Sequence, residues 1–313
     1  MKLAAIDIGS NSIKLVVVQA ETSDSFTVLA QEREVVRLGQ ETLVNGHINE
    51  AAMLRATTCL KRFREIAETQ GAEKIVAIAT ATVREANNAA EFIRTVEHEA
   101  GLHVEVLSGL EEARMIGLAA SQGCTEKGLT SLNIDIGGGS TEISIFRDGE
   151  PLRLVSMKLG AVGLTDRFIR SDPPAPNELD ALRSQIRGSL ESSASELCEQ
   201  GWDQATATSG TAVAIRGALN TPVVDLSELK RLNAKIAALS LAERKNVAGL
   251  TPQRADIIVA GGFVLEETMK ALGIESLRIC DWSLREGVII DRLRAWERTS
   301  VSRTAGEKID SVG

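Results

Sequence analysis

Tyrosine is absent from this chain, and aromatic residues of every kind make up only 3%. Platforms that stack nucleobases are built from aromatic rings, so a single-stranded nucleic-acid surface is not expected. The formal net charge is −8 and lysine and arginine form no long block, which argues against general nucleic-acid binding. Apolar runs stay short of the ~18 residues that a membrane-spanning helix needs. The N-terminus enters a strand carrying Asp7 without the apolar core of a signal peptide. The four cysteines (Cys59, Cys124, Cys198, Cys280) are widely scattered and lack metal-ligand spacing. Reduced thiols in the cytoplasm are therefore the expectation, and neither the cysteines nor the three histidines are given any chemistry. Walker A, HExxH and GxSxG sequences are missing too. The glycine runs lack the GxGxxG form of a dinucleotide site.

What is present centres on Asn133 to Ile145, NIDIGGGSTEISI. Two alternating apolar runs flank a glycine turn, which reads as strand, tight turn, strand. Three consecutive glycines, Gly137, Gly138 and Gly139, free the backbone for positive φ and for close approach to a ligand. Successive N–H groups through Ser140 make an anion-binding nest. Asp135 and Glu142 at its ends suit a divalent cation beside a phosphate. A second copy lies at Leu3 to Val18, where Asp7-Ile8-Gly9 and Ser12 repeat Asp135-Ile136-Gly137 and Ser140. A repeat of domain length in 313 residues predicts two similar domains and a cleft with a phosphate-binding lip on each side.

In order along the chain, strands near both glycine turns are each followed by alternating helices and strands, which predicts mixed sheets with helices on both faces. Asn49 caps a helix that runs to about Gln70. Thr82 to Ala86 reads as a loop, and Ser171 to Asn177 as a proline-rich loop before a helix from Glu178. Ser108 and Glu111 fit a capping box, leaving Glu112 without a local duty in the first turn. Ser209-Gly210-Thr211 opens a helix whose N–H groups suit an anion. Asp225 to Val247 reads as two helices, and Asp256 to Val259 as a strand ending in a glycine turn. Lys158 and Arg285 are further basic candidates for the cleft.

These motifs together resemble the exopolyphosphatase/guanosine pentaphosphate phosphohydrolase family of the actin-like sugar-kinase superfamily. The resemblance is carried by AAIDIGSNS (4–12), TATVREA (80–86), SGLEEAR (108–114), IDIGGGSTE (134–142), GAVGLTDRF (160–168), SGT (209–211), RADIIVAGG (254–262) and LREG (284–287). It implies two actin-like (ribonuclease H-like) α/β domains with a cleft between them, at 1–124 and 125–298. The last helix, 284–298, is a candidate to pack back on the first domain, and 299–313 is expected to be a disordered tail. The chain looks like a short, two-domain member.

For the site, the resemblance implies Glu112 as the catalytic base. Phosphates would be held by Ser10, Asn11, Ser12, Arg84, Gly137, Gly138, Gly139, Ser140, Ser209, Gly210 and Thr211. Asp7, Asp135 and Glu142 would position magnesium, or manganese in its place. The expected reaction is hydrolysis of the terminal phosphoryl group of inorganic polyphosphate. Guanosine pentaphosphate offers the same terminal anhydride, and guanosine tetraphosphate would act as an inhibitor. An ATP-dependent kinase and a nucleotide-binding regulator are the rival readings. Monomer and homodimer both stay open.

Overall fold

Strand β1 (Lys2–Ile8) is buried on both faces, and its alternation sorts the surrounding layers. Ala4, Ile6 and Ile8 face one core with Phe63 and Phe92, whereas Leu3 and Ala5 face another with Val288 and Leu293. The computed structural model describes the backbone of residues 1–309 and the side chains of 1–299.

The first half continues β2 (Ile13–Thr22), β3 (Ser25–Glu34), α1 (Thr42–Asn45), α2 (Glu50–Thr69), β4 (Lys74–Ala79), α3 (Ala81–Glu85), α4 (Ala89–Ala100), β5 (Val104–Val106) and α5 (Gly109–Gly123). Its sheet has the order β3-β2-β1-β4-β5, an antiparallel meander extended by two parallel strands. The second half begins β6 (Thr130–Ile136), β7 (Thr141–Arg147), β8 (Glu150–Met157), α6 (Ala161–Phe168), α7 (Pro176–Gln200), β9 (Gln204–Thr208) and α8 (Ser209–Leu219). It ends with β10 (Val223–Asp225), α9 (Leu226–Ala237), α10 (Leu241–Arg244), α11 (Ile258–Ala271), β11 (Ser276–Ile279) and α12 (Leu284–Ile309). The second sheet runs β10-β11-β9-β6-β7-β8, again a meander followed by parallel strands. Both halves thus share one core plan, an antiparallel meander followed by parallel strands.

Local rules explain the helix starts. Asn49 accepts the Ala52 N–H at 2.8 Å and Ser108 accepts the Glu111 N–H at 3.2 Å. Glu111 does not return the bond expected of a capping box. It pairs with Arg114 instead, at 3.1 Å.

Helix α5 lies against the polar face of the second sheet. The other face of β6 and β7, Leu132, Ile134, Ile136, Ile143 and Ile145, fills the second core. On the α5 side Asn133, Asp135, Ser144 and Glu142 are all buried. Gly117 of α5 packs directly on Ser144 and Phe146. Helix α12 returns to the first sheet, where Leu284, Val288 and Ile289 join Leu3 and Val16, while Ile290 meets Leu118 and Phe146.

Several local expectations change. Asp256 to Val259 is not a strand: Ile258 starts α11, a helix buried almost all round. A short apolar run cannot by itself distinguish a strand from a buried helix. Gly261 and Gly262 therefore serve close packing, against Thr211 and Asn233. Residues 81–85 are helical rather than loop. Pro176 stands at the start of α7, where its missing N–H costs nothing. Strand β10 precedes α9 and pairs antiparallel with β11. Helix α12 continues through the segment expected to be a tail as far as Ile309, no proline interrupting it; residues 310–313 lie outside the described residues. The thiols are not all reduced, because Cys124 and Cys280 form a disulfide with Cα atoms 5.7 Å apart. The C-terminus of α5 meets the end of β11 there, a proximity that sequence spacing does not report. Among the described residues no helix is long and apolar enough to cross a membrane.

Candidate active site

The two glycine turns close equivalent hairpins. Ile8 pairs with Ile13 and Asp7 with Lys14 in the first; Ile136 pairs with Thr141 and Asp135 with Glu142 in the second. The turns face each other across a cavity of about 60 Å³, whose walls include Ser10, Asn11, Ser12 and Gly137 to Ser140.

None of Gly137, Gly138 and Gly139 has a left-handed φ, so their backbone freedom is not what the turn uses. Close approach is. A Cβ on Gly138 would lie 2.7 Å from Ser10 Cβ, and one on Gly139 would lie 2.6 Å from Ala81 Cβ. The loop is braced from behind by α6, because the Gly137 and Gly138 carbonyls accept the N–H groups of Ala161 and Val162 at 3.0 and 2.9 Å. The opposite loop is braced by residues 37–39: Arg37 N–H donates to the Asn11 carbonyl at 2.9 Å and Gly39 N–H to that of Ser10 at 2.7 Å.

Four carboxylates gather at this cleft. Asp7 lines it and pairs with Lys14 at 3.3 Å. Asp135 lines it and accepts hydrogen bonds from Thr208 at 2.5 Å and Ser283 at 2.9 Å. Glu112 lines it from the first turn of α5 and is 7% exposed. Burial pushes its carboxyl up to about 7, against the opposing pull of Arg84, with the charges of Asp7 and Asp135 adding to the rise. Glu142 stands behind the cavity wall. Its Oε1 accepts from Ser156 at 2.8 Å and its Oε2 is buried with no partner. Burial, then the charges of Glu112 and Asp135, hold Glu142 well above the usual carboxylate range. Asp135 is raised as well, first by burial, although Thr208, Lys14 and Ser283 oppose the shift.

Not every expected residue reaches the cavity. Arg84 donates from Nη1 to the Leu107 carbonyl at 2.8 Å and to Glu112 Oε2 at 3.1 Å, so in this state it holds Glu112. Ser209 and Gly210 line the cavity. Thr211 does not, since its hydroxyl faces the Ile136 carbonyl at 3.4 Å. Lys158 pairs with Glu85 in a separate hollow. Arg285 donates to the Leu15 carbonyl and pairs with Glu286.

Arg254 was not singled out by its sequence context, yet it is buried at the cavity wall. Its guanidinium fills the space where a Cβ at Gly210 would sit, and its Nε has no hydrogen-bond partner. Burial, with the like charge of Arg33 second, lowers its guanidinium to about 9. No carboxylate pairs with Arg254 or Arg33 among the described residues. The only sequence signal for Arg254 is its place at the head of RADIIVAGG. The third anion site expected at the start of α8 is thus a shelf that carries this cation.

For a metal, no three His, Cys, Asp or Glu side chains converge as a ready cage among the described residues. Magnesium seldom needs one. It keeps several waters and takes one or two carboxylates together with substrate phosphates. Two cavity-lining aspartates with an unpartnered Glu142 oxygen behind them fit that pattern. The whole arrangement can receive an anion on backbone N–H groups and Arg254, and can take up a proton at Glu112 near neutral pH.

The sequence profile described as the Ppx/GppA phosphatase family matches residues 16–295. Exopolyphosphatase 1 of Mycobacterium leprae is 33% identical, over 99% of this chain and 96% of that protein. The Mycobacterium tuberculosis protein of the same name is 33% identical over 94% of this chain and 88% of its own. Among solved structures, an exopolyphosphatase from Cytophaga hutchinsonii superposes with a TM-score of 0.86 at 27% identity, covering 94% of this chain and 98% of that one. The PPX-GPPA enzyme of Aquifex aeolicus gives 0.77 at 26% identity, covering 93% and 99%.

Proposed function

The chain belongs to the Ppx/GppA phosphatase family, and from that premise we propose that it is an exopolyphosphatase. It is a phosphoanhydride hydrolase that releases the terminal phosphoryl group of inorganic polyphosphate as orthophosphate. The observation that carries the mechanism is Glu112, a buried carboxylate with its proton affinity raised, facing two phosphate-sized glycine loops.

The terminal phosphoryl group sits between Ser10 to Ser12 and Gly137 to Ser140, gripped by backbone N–H groups from both domains. Lys14 and Arg254 offset charge on its oxygens. Glu112 takes a proton from the attacking water, whose oxygen bonds to phosphorus as the bridging P–O bond breaks. The shortened chain leaves with the bridging oxygen, and the proton on Glu112 passes to a product phosphate. Such general-base help is typically worth about 10²–10⁴-fold. Arg84 orients Glu112 from outside the cavity. Asp7 and Asp135, with Glu142 behind them, would hold a divalent cation, magnesium by the donor set. When bound, such an ion neutralises charge on the transferring phosphoryl group.

The direct test is phosphate release from polyphosphate and from guanosine pentaphosphate, with magnesium and with a chelator. Faster magnesium-dependent release from polyphosphate supports this reading, and a preference for the nucleotide would overturn the substrate assignment.

The activity should also rise with pH. A base at about 7 is protonated and idle at pH 5.5, so kcat/KM climbs through neutrality and levels off above it. A flat profile from pH 5.5 to 8.5 at fixed magnesium would remove Glu112 from the base role.

Stability runs the other way in metal-free protein. Carboxyls raised above their unfolded values favour folding below the unfolded pKa and lose that contribution as pH rises through the folded one. Glu142→Gln replaces one such raised carboxyl with an amide that does not titrate. It should therefore stabilise metal-free protein at pH 8 by about 1 kcal/mol, roughly 2–4 °C in Tm. It should also raise the magnesium concentration needed for half-maximal activity. An unchanged magnesium requirement would place Glu142 outside the metal's surroundings.

A further inference from the structure

The cavity between the glycine loops measures about 60 Å³, room for roughly four to six water positions at ~10–15 Å³ each. One phosphoryl group fills it. The rest of a chain has to lie elsewhere. A second hollow of about 340 Å³ adjoins it, lined by Arg37, Gln40, Asp166, Lys245 and Asp256 among others. Asn11 lines both spaces. That side chain is only 6% exposed and its Nδ2 donor has no acceptor. A buried amide donor without a partner is uncommon in folded proteins, and this one stands where a chain would cross from one space to the other.

Resting on the polyphosphate reading above, we propose that the outer hollow seats the departing chain and sets the preference for chain length. Asn11 donates to a phosphate oxygen at the crossing, and Arg37 and Lys245 bind phosphates beyond it.

Arg37 is built for this task. Only its Nη1 is engaged, by Asp256 Oδ2 at 2.6 Å. Its remaining side-chain N–H groups have no acceptor among the described residues, and a guanidinium keeps enough donors to hold a second anion without releasing the first. Asp256 is accordingly a positioning residue, fixing the guanidinium across the cleft. Arg37 and Glu41 both have left-handed backbones, at φ 55° and 61°. Non-glycine residues hold that conformation only where their surroundings over-determine it, commonly at binding and switch segments. The Arg37 N–H also bonds the Asn11 carbonyl at 2.9 Å, tying the outer cation to the crossing point. Lys245 is exposed and makes no ion pair among the described residues.

Asp166 and Asp256 share the hollow, so its charge before substrate arrives is balanced rather than strongly basic. Asp166 accepts the Glu41 N–H at 3.1 Å. A balanced site binds a polyanion weakly. Weak binding suits a subsite whose occupant must slide or leave after every cleavage.

The experiment compares kcat/KM for triphosphate with that for a chain of several tens of phosphates. Wild type, Arg37→Gln and Lys245→Gln are measured side by side in the full chain. The long-to-short ratio should fall about tenfold in Arg37→Gln and about threefold in Lys245→Gln. A ratio unchanged in both variants overturns the proposal, as does an equal loss on both substrates. Lys245 is exposed, so its variant keeps the test valid if Arg37→Gln folds poorly. Calorimetric binding of both chains to Glu112→Gln, with and without each second substitution, repeats the comparison without turnover. If the wild type hydrolyses neither chain while these substitutions still abolish length-dependent binding, the hydrolase reading is overturned and the outer subsite stands.

Discussion

Glu112→Gln is expected to lower kcat for phosphate release by about 10²–10⁴-fold while leaving polyphosphate affinity within a few-fold. Glutamine keeps the shape of the side chain, and its carbonyl can still accept from Arg84 Nη1, now 3.1 Å from Glu112 Oε2. The fold should hold, since the variant loses a desolvated charge at a site 7% exposed and gains no cavity. What disappears is the ability to take a proton. Glu111→Gln is the matched control one residue away. Glu111 is exposed and paired with Arg114, and surface pairs of this kind are worth about 0–1 kcal/mol. Its kcat should stay within twofold. If Glu112→Gln keeps more than a tenth of wild-type kcat, the water must be activated by another group, and Glu142 would be the first to examine.

That neighbouring pair shows how far local sequence reasoning reaches. Ser108 at the helix cap was legible, because capping is decided within four residues. Strand positions of the two glycine hairpins were legible for the same reason, down to the matched places of Asp7 and Asp135. The resemblance of SGLEEAR to its family then pointed to the second acid rather than the first.

What was hidden depends on contacts distant in sequence. Arg254 becomes a cleft residue only by stacking over Gly210, and nothing within its own segment announces that. Asp256 to Val259 looked like a strand because Ile257, Ile258 and Val259 are β-branched and apolar; tertiary burial makes them helical. Cys124 and Cys280 meet across 156 residues. Arg84 was read as a phosphate ligand from its motif. In the folded chain its partners are the Leu107 carbonyl and Glu112, which turns attention from the substrate to the base.

Gly138→Val should cut kcat/KM by about 10²-fold, with most of the loss in substrate binding. The reason is position rather than conformation. Gly138 has an ordinary φ, so valine is not strained by its own backbone. Its Cβ, however, would stand 2.7 Å from Ser10 Cβ, 3.1 Å from Val162 Cγ2 and 3.3 Å from the Asn11 nitrogen. Carbon atoms rest at about 3.5–4.0 Å, so the two loops must part by roughly 1 Å. The second loop cannot retreat, because its Gly138 carbonyl is held by the Val162 N–H at 2.9 Å and Gly160 is packed against it. The displacement therefore opens the cleft between domains. A misplacement of about 1 Å can cost around 10²-fold in catalysis. Gly188→Ala supplies the control: it lies on α7 with open space around it, and helical glycine to alanine should add about 0.5–1 kcal/mol of stability with activity unaltered. Wild-type KM and kcat in a folded Gly138→Val protein would mean that the cleft does not close on substrate through these two loops. The close approach of Gly138 to Ser10 would then be a resting contact, and the phosphate would have to be held by Arg254, Lys14 and the first loop alone.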